Sequence, residues 1–275
     1  MSAARPRVCV VTGYGINADE ELALAFQRAG GDASRVHVRD LIDHPGTLSS
    51  YRILAFPGGF SFGDHLGSGK VFATLFRRSL GGAMPAFVRN GGLVIGVCNG
   101  FQVLVKAGLL PDTAGAGTQE VSLIHNLSGK FEDRWVRLRF DPASRCVWTR
   151  GLPDMEMPVR HGEGRFVTGS AEALSTLGSQ GLIAARYVSS SGGEPSYPED
   201  PNGSDGHVAG ICDRTGRVFG LMPHPEAFLH PENHPEWTAR TVTEGEGVRL
   251  FVNGVRAASL GARGPAAARG TAAPA

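Results

Sequence analysis

Three residues in this sequence have the chemistry of a nucleophilic site, namely Cys98, His224 and Glu226. Cys98 lies in Gly96-Val97-Cys98-Asn99-Gly100, the Gly-x-nucleophile-x-Gly spacing of a sharp strand-to-helix turn. Such a turn forces the nucleophile into a strained backbone conformation, so its neighbours must lack side chains where strand and helix approach. The helix that follows directs its N–H groups and positive dipole end at the sulfur and favours negative charge there. His224 is flanked by Pro223 and Pro225, which fix the backbone on both sides. Glu226, two residues on, can accept a hydrogen bond from the ring and hold its tautomer. The plain alternative for Cys98 is a buried structural thiol, and the elbow spacing argues against it.

The flanking elements must position these groups. Leu93, Val94, Ile95 and Val97 form a short apolar run suited to a strand buried on both faces. Phe101, Leu104 and Val105 share one helical face, and Gly108 ends that helix. Arg7 to Thr12 reads as a first strand, and Asn17 to Glu20 as a capping box opening a helix that Gly30-Gly31 closes. Val36 to Val38 and Tyr51 to Phe56 read as further strands, and Val218 to Met222 as the late strand that delivers His224. The expected fold is α/β, a doubly wound, mostly parallel sheet flanked by helices. Arg134 to Phe140 alternates Val136, Leu138 and Phe140 with arginines, which adds an antiparallel β portion. The domain is expected over 1–253, with 254–275 an Ala/Gly/Pro-rich tail expected to be disordered.

Composition narrows the function classes. The 275 residues carry a net charge of +1, 41% hydrophobic and 19% charged residues, which suits a soluble globular protein. No nucleic-acid or membrane surface is implied, no apolar run approaches a membrane span, and the first residues lack a secretory core. The four cysteines, Cys9, Cys98, Cys146 and Cys212, are widely spaced with no zinc pattern, so a reducing, cytoplasmic setting is expected.

Other candidates need weighing. Gly13-x-Gly15-x-x-Ala18 partly matches a dinucleotide fingerprint, with Asp40 as its ribose-binding acid, which would make the chain an oxidoreductase. Its alternative is a tight turn between strand and helix. His-Pro-Glu recurs at His230 and His234, but nothing obvious completes a metal site, so none is expected and the repeats are read as capping a surface segment. His161, in His-Gly-Glu-Gly, is a possible second base, although its setting fits a loop equally well. The polar stretch 189–206 reads as a long functional loop, and it and His161 to Phe166 are expected to face a partner. Pro57 to Asp64 follows a strand and places Gly58-Gly59 where backbone N–H groups meet a ligand.

A cysteine elbow, a Gly-Gly loop and a His-x-Glu pair together make a nucleophile, an oxyanion hole and an oriented base. Gly96 to Gln102 and His224-Pro225-Glu226 resemble the motifs of the flavodoxin-like class I (triad) glutamine amidotransferases. Within that family the chain is similar to the glutaminase component of phosphoribosylformylglycinamidine synthase over roughly residues 5 to 240. That likeness rests on Pro57 to Asp64, Asn126-x-Ser128-x-x-Phe131-x-x-Arg134, His161 to Arg165, Tyr197-Pro198, Pro201 to Ser204 and Gly220 to Glu226. Family members commonly carry arginine where this chain has Ala227. The resemblance implies a catalytic Cys98, His224 and Glu226, oxyanion donors at Gly59 and Asn99, and substrate contacts from Gln102, Phe60, Asn126, Ser128 and Phe131. It implies glutamine as substrate and ammonia passed to a separate synthetase subunit, with a small accessory subunit as a further partner. That synthetase would aminate formylglycinamide ribonucleotide in purine synthesis. ATP and magnesium would belong to it, since this sequence has no Walker-type loop and needs no cofactor of its own. The rivals are a stand-alone cysteine amidohydrolase and an amidotransferase subunit serving another acceptor.

Overall fold

The computed structural model describes residues 4–115, 117–240 and 243–261. Its strands are β1 (Arg7–Thr12), β2 (Asp32–His37), β3 (Ile53–Phe56), β4 (Leu93–Val97), β5 (Val121–Ile124), β6 (Glu132–Phe140), β7 (Met155–His161), β8 (Arg165–Thr168), β9 (Ile183–Tyr187), β10 (Val208–Cys212) and β11 (Val218–Leu221). Its helices are α1 (Asp19–Arg28), α2 (Val38–Asp43), α3 (Lys70–Leu80), α4 (Ala83–Arg89), α5 (Asn99–Lys106), α6 (Ala171–Ser179) and α7 (Val248–Gly261).

The continuous apolar runs become strands with both faces covered. Every residue of β3, β4 and β11 is buried. They lie side by side in a nine-stranded sheet of order β2-β1-β3-β4-β11-β10-β9-β6-β7. The first five strands are parallel, in the flavodoxin-like arrangement, and the remaining four are joined antiparallel. The antiparallel portion thus extends the main sheet, while β5 and β8 form a separate small pair. β6 alternates as its sequence requires, with Val136, Leu138 and Phe140 inward and Arg137 and Arg139 exposed.

Several local expectations are corrected by tertiary contacts. The second strand ends at His37, and Val38 opens α2, so Asp40 lies exposed on a helix rather than at a strand end. No capping box forms at α1, whose N-cap is Ala18 with no side-chain bond. The N–H groups of Asn17 and Ala18 instead point to the Gly58 carbonyl, each at 3.4 Å. The Gly13 to Ala18 turn therefore serves as a brace, and its dinucleotide reading loses its acid.

The tail begins later than the sequence suggests. α7 continues to Gly261, and the spacing of Val248, Phe251, Val255 and Ala258 gives it a buried stripe. Phe251 meets Phe26 of α1 edge-on, with centroids 5.0 Å apart. Residues 254–261 therefore belong to the folded domain, and 262–275 lie outside the described residues. Ending the chain after Asn253 should cost about 3 kcal/mol, mainly from losing Val255 and Ala258 from the core. Urea unfolding would measure this, and an unchanged midpoint would restore the earlier boundary.

Candidate active site

Cys98 sits between the end of β4 and the start of α5 with φ 52° and ψ −108°. A non-glycine residue in that region costs on the order of 1–3 kcal/mol, so its surroundings must enforce it. Gly100 shows how. A Cβ there would stand 2.0 Å from the Phe56 carbonyl oxygen, so α5 can lie this close to β3 only with glycine. The expected amphipathic helix is in fact enclosed on all sides, buried from Asn99 to Val105. The first N–H groups of α5 have no partner within the helix and face the sulfur side of the turn.

β11 lies next to β4, with Leu221 opposite Val97, and brings His224 to the same end of the sheet. His224 Nδ1 is 2.5 Å from Glu226 Oε1, and both side chains are buried. This contact fixes the donor on Nδ1 and leaves Nε2, which has no partner, directed at chemistry. Burial opposes charge on His224, but the nearby charges of Glu226 and Cys98, with the hydrogen bond to Glu226, outweigh it. The ring is therefore held well above the usual imidazole range. Cys98 Sγ also lies 3.6 Å from the Arg160 carbonyl at the end of β7.

The loop after β3 completes the site. Gly59 has φ +141°, and a Cβ there would press on Gly15 O at 2.7 Å and Asn17 N at 2.9 Å. Phe60 N donates to Gly15 O at 2.8 Å, and Asn17 N to Gly58 O. This pairing around the Ile16–Gly59 bridge leaves the Gly59 N–H outside its hydrogen bonds. The cavity beside Cys98 encloses about 300 Å³ and is lined by Gly59, Phe60, Phe131, His224, Glu226 and, from α1 and β7, Glu21 and Arg160.

Of the expected substrate contacts, Phe60 and Phe131 line this cavity, their rings 6.4 Å apart. Gln102, Asn126 and Ser128 do not line it, and their polar atoms bond within the scaffold. Gln102 accepts from Asn99 Nδ2 at 3.0 Å and donates to the Glu163 carbonyl. Asn126 donates to the carbonyls of Lys130 and His161 and accepts from Gly164 N and the His161 ring. Ser128 donates to buried Glu132 at 2.6 Å. The Asn99 side chain ties Ser61 and Asp64 to α5, while its backbone N–H lies at the helix start beside the sulfur.

The histidines also separate. His161 ends β7 and is buried, not in a loop, and burial together with nearby His224 pushes it down to about 3. Phe166 is fully buried, and Asn202 and Ser204 reach across to Gly164 and Phe166, so His161, Gly164 and Phe166 are buried while Gly162, Glu163 and Arg165 are half-buried. His234 does not cap a surface segment but is buried, with its ring centroid 4.5 Å from that of Trp135. His230 caps the turn Pro231–Asn233 and meets Arg28 at 3.3 Å. Among the described residues no group of three or more His, Cys, Asp or Glu side chains could hold a metal. No helix among them is long and apolar enough to cross a membrane. Sequence reasoning missed Glu21 and Arg160; the only signal for Arg160 was an outward strand position just before the glycine-rich turn.

Comparison with known proteins agrees with this geometry. Residues 5–256 match the CobB/CobQ-like glutamine amidotransferase domain. A phosphoribosylformylglycinamidine synthase subunit PurQ from Dehalococcoides mccartyi is 44% identical over 244 residues, covering 88% of this chain and 93% of that protein. One from Methanococcus maripaludis is 42% identical, covering 84% and 86%. A chain in the structure of PurLQS from Thermotoga maritima superposes with a TM-score of 0.67 at 30% identity, covering 90% of this chain and 98% of its own length. The chain belongs to the glutamine amidotransferase family. Its likeness within that family is to the glutaminase subunits of phosphoribosylformylglycinamidine synthase, and the chain is a glutaminase subunit of that enzyme of purine biosynthesis.

The two buried histidines give opposite pH dependences. His224 is raised above its unfolded value of 6.5, so its contribution to stability is full below pH 6.5 and lost as pH rises through the folded value. His161 is lowered, so between pH 6.5 and about 3 the unfolded state takes a proton the folded state refuses, and stability falls as the pH falls. Glu226→Gln removes one of the charges holding His224 up. Its ring titration, followed by NMR, should move to lower pH in that variant. An ordinary imidazole titration in the unchanged protein would refute the pairing.

Proposed function

We propose that Cys98, His224 and Glu226 are the catalytic triad of this glutaminase, and that the ammonia it releases is passed to a synthetase subunit. The observation that carries the assignment is the shared cavity of Cys98 and His224, with Glu226 2.5 Å behind the ring. In this reading the Cys98 thiolate attacks the side-chain amide carbon of glutamine, and the carbonyl oxygen gains the charge. The N–H groups of Gly59 and Asn99 receive that charge. His224 gives its proton to the departing nitrogen, ammonia leaves, and a glutamyl thioester remains on Cys98. Water, giving a proton to His224, then adds to the thioester and releases glutamate. Glu226 stays ionised and holds the ring throughout.

The same reading places ATP and magnesium on the synthetase, because this sequence carries no Walker-type loop. The acceptor is formylglycinamide ribonucleotide, and a small accessory subunit joins the assembly, which works in the cytoplasm. The rim of the cavity suits such a partner. Phe60 and Phe131 are 49% and 54% exposed, and Leu127 and Tyr197 beyond them 70% and 58%, which is much apolar surface to leave in water. Phe62 and Asp64 hold positive φ in the loop carrying Gly59, so docking can shift that loop by releasing local strain.

Cys98→Ala should abolish glutamine-dependent synthesis by the assembled subunits while synthesis from free ammonium survives. Equal loss of both would make Cys98 structural. Ammonia release by the chain alone should rise about a hundredfold when the synthetase, ATP and acceptor are added, the value of one well-placed oxyanion donor. Full turnover without partner would point to the stand-alone amidohydrolase.

A further inference from the structure

A free amino acid brings an α-carboxylate and an α-ammonium group as well as its reacting amide, and a selective site must meet all three. The triad and the oxyanion donors account only for the amide. Outside the triad, the cavity beside Cys98 is lined by one basic and one acidic side chain, Arg160 and Glu21. They come from different elements, β7 and the first turn of α1.

Neither residue is committed to the fold. Among the described residues neither side chain makes a salt bridge or a hydrogen bond, whereas Arg35, Arg134, Arg139 and Arg240 all pair with carboxylates. Arg160 stands opposite Asp133 in the β6–β7 register, yet the two are not within ion-pair distance. Both side chains are exposed, so they remain hydrated until a ligand arrives. The strand end that carries Arg160 also sets its carbonyl 3.6 Å from Cys98 Sγ, which ties the position of this residue to the nucleophile.

We propose that Arg160 and Glu21 form a charge clamp for the amino-acid end of glutamine, Arg160 taking the α-carboxylate and Glu21 the α-ammonium group. Guanidinium suits a carboxylate because its fork of donors matches the two oxygens. The clamp makes the site selective for a free amino acid over a side-chain amide within a peptide, which lacks both charges. It rests on the reading that Cys98 attacks glutamine.

The test uses the full chain with its synthetase subunit and three amides: glutamine, 4-aminobutanamide without the α-carboxylate, and glutaramate without the α-ammonium group. Arg160→Met should raise the KM for glutamine roughly 10–100-fold, the range of a charge-assisted hydrogen bond, with kcat changed far less. It should also lose discrimination against 4-aminobutanamide while keeping that against glutaramate. Glu21→Gln should show the reverse selectivity, and Arg160→Lys should recover part of the lost affinity. Unchanged KM and selectivity in both variants, with Cys98-dependent hydrolysis intact, would overturn the clamp and leave the glutaminase reading standing. Hydrolysis that persists in Cys98→Ala would overturn the reading beneath it. An equal loss against all three amides would also overturn the clamp, since it would mark a structural role.

Discussion

The backbone at Cys98 is the constraint on which the rest depends. A residue with a side chain is held at φ 52° because a strand ends and a helix begins within one peptide unit. That geometry survives only if α5 lies close against β3, and the contact between Gly100 and the Phe56 carbonyl permits it. The enclosure of α5 on every side follows, since a helix able to move would relax the turn. Local strain of a kcal/mol or so is thus offset by a large buried surface, and the sulfur is fixed before substrate arrives.

A second layer of order comes from polar groups far from water. Asn126, Asn202 and Ser204 knit three separated loops through buried bonds to His161, Gly164, Phe166 and Tyr187. Inside a protein such bonds are strong when complete and costly when broken. They hold the end of β7 in place, and β7 in turn meets both Cys98 and the His224 backbone, whose N–H donates to Pro158 O at 2.8 Å. Glu226 acts in the same way on a smaller scale, by settling which ring nitrogen of His224 carries the proton.

The parts of this molecule that could be read in the sequence are those governed by local rules. The buried strands, the elbow, the Gly108 stop and the alternation in β6 follow from residue spacing, and they led to the parallel sheet with Cys98 and His224 at one end of it. Other side chains carry chemistry that serves two purposes. Gln102, Asn126 and Ser128 have the side chains of ligand-binding residues, and the structure shows their polar atoms bonded within the scaffold, to Asn99 and Glu163, to His161, and to Glu132. The Asn17 to Glu20 capping pattern gave way because its backbone is claimed by Gly58 across the site. His161 looked like part of a glycine-rich loop because nothing local reveals that Asn126 waits for its ring.

The adjacency of β4 and β11 has a mechanical meaning. Parallel neighbours in a sheet stand about 4.8 Å apart, and this spacing hardly varies from one protein to another. Cys98 leaves the sheet one residue beyond Val97, and His224 three residues beyond the paired Leu221. The hydrogen-bonded lattice therefore serves as a ruler between them, and the stiffest part of the fold sets the separation of the Cys98 and His224 side chains. Surface loops can drift, lengthen or acquire new partners without detuning that distance. What they can alter is which molecules reach it.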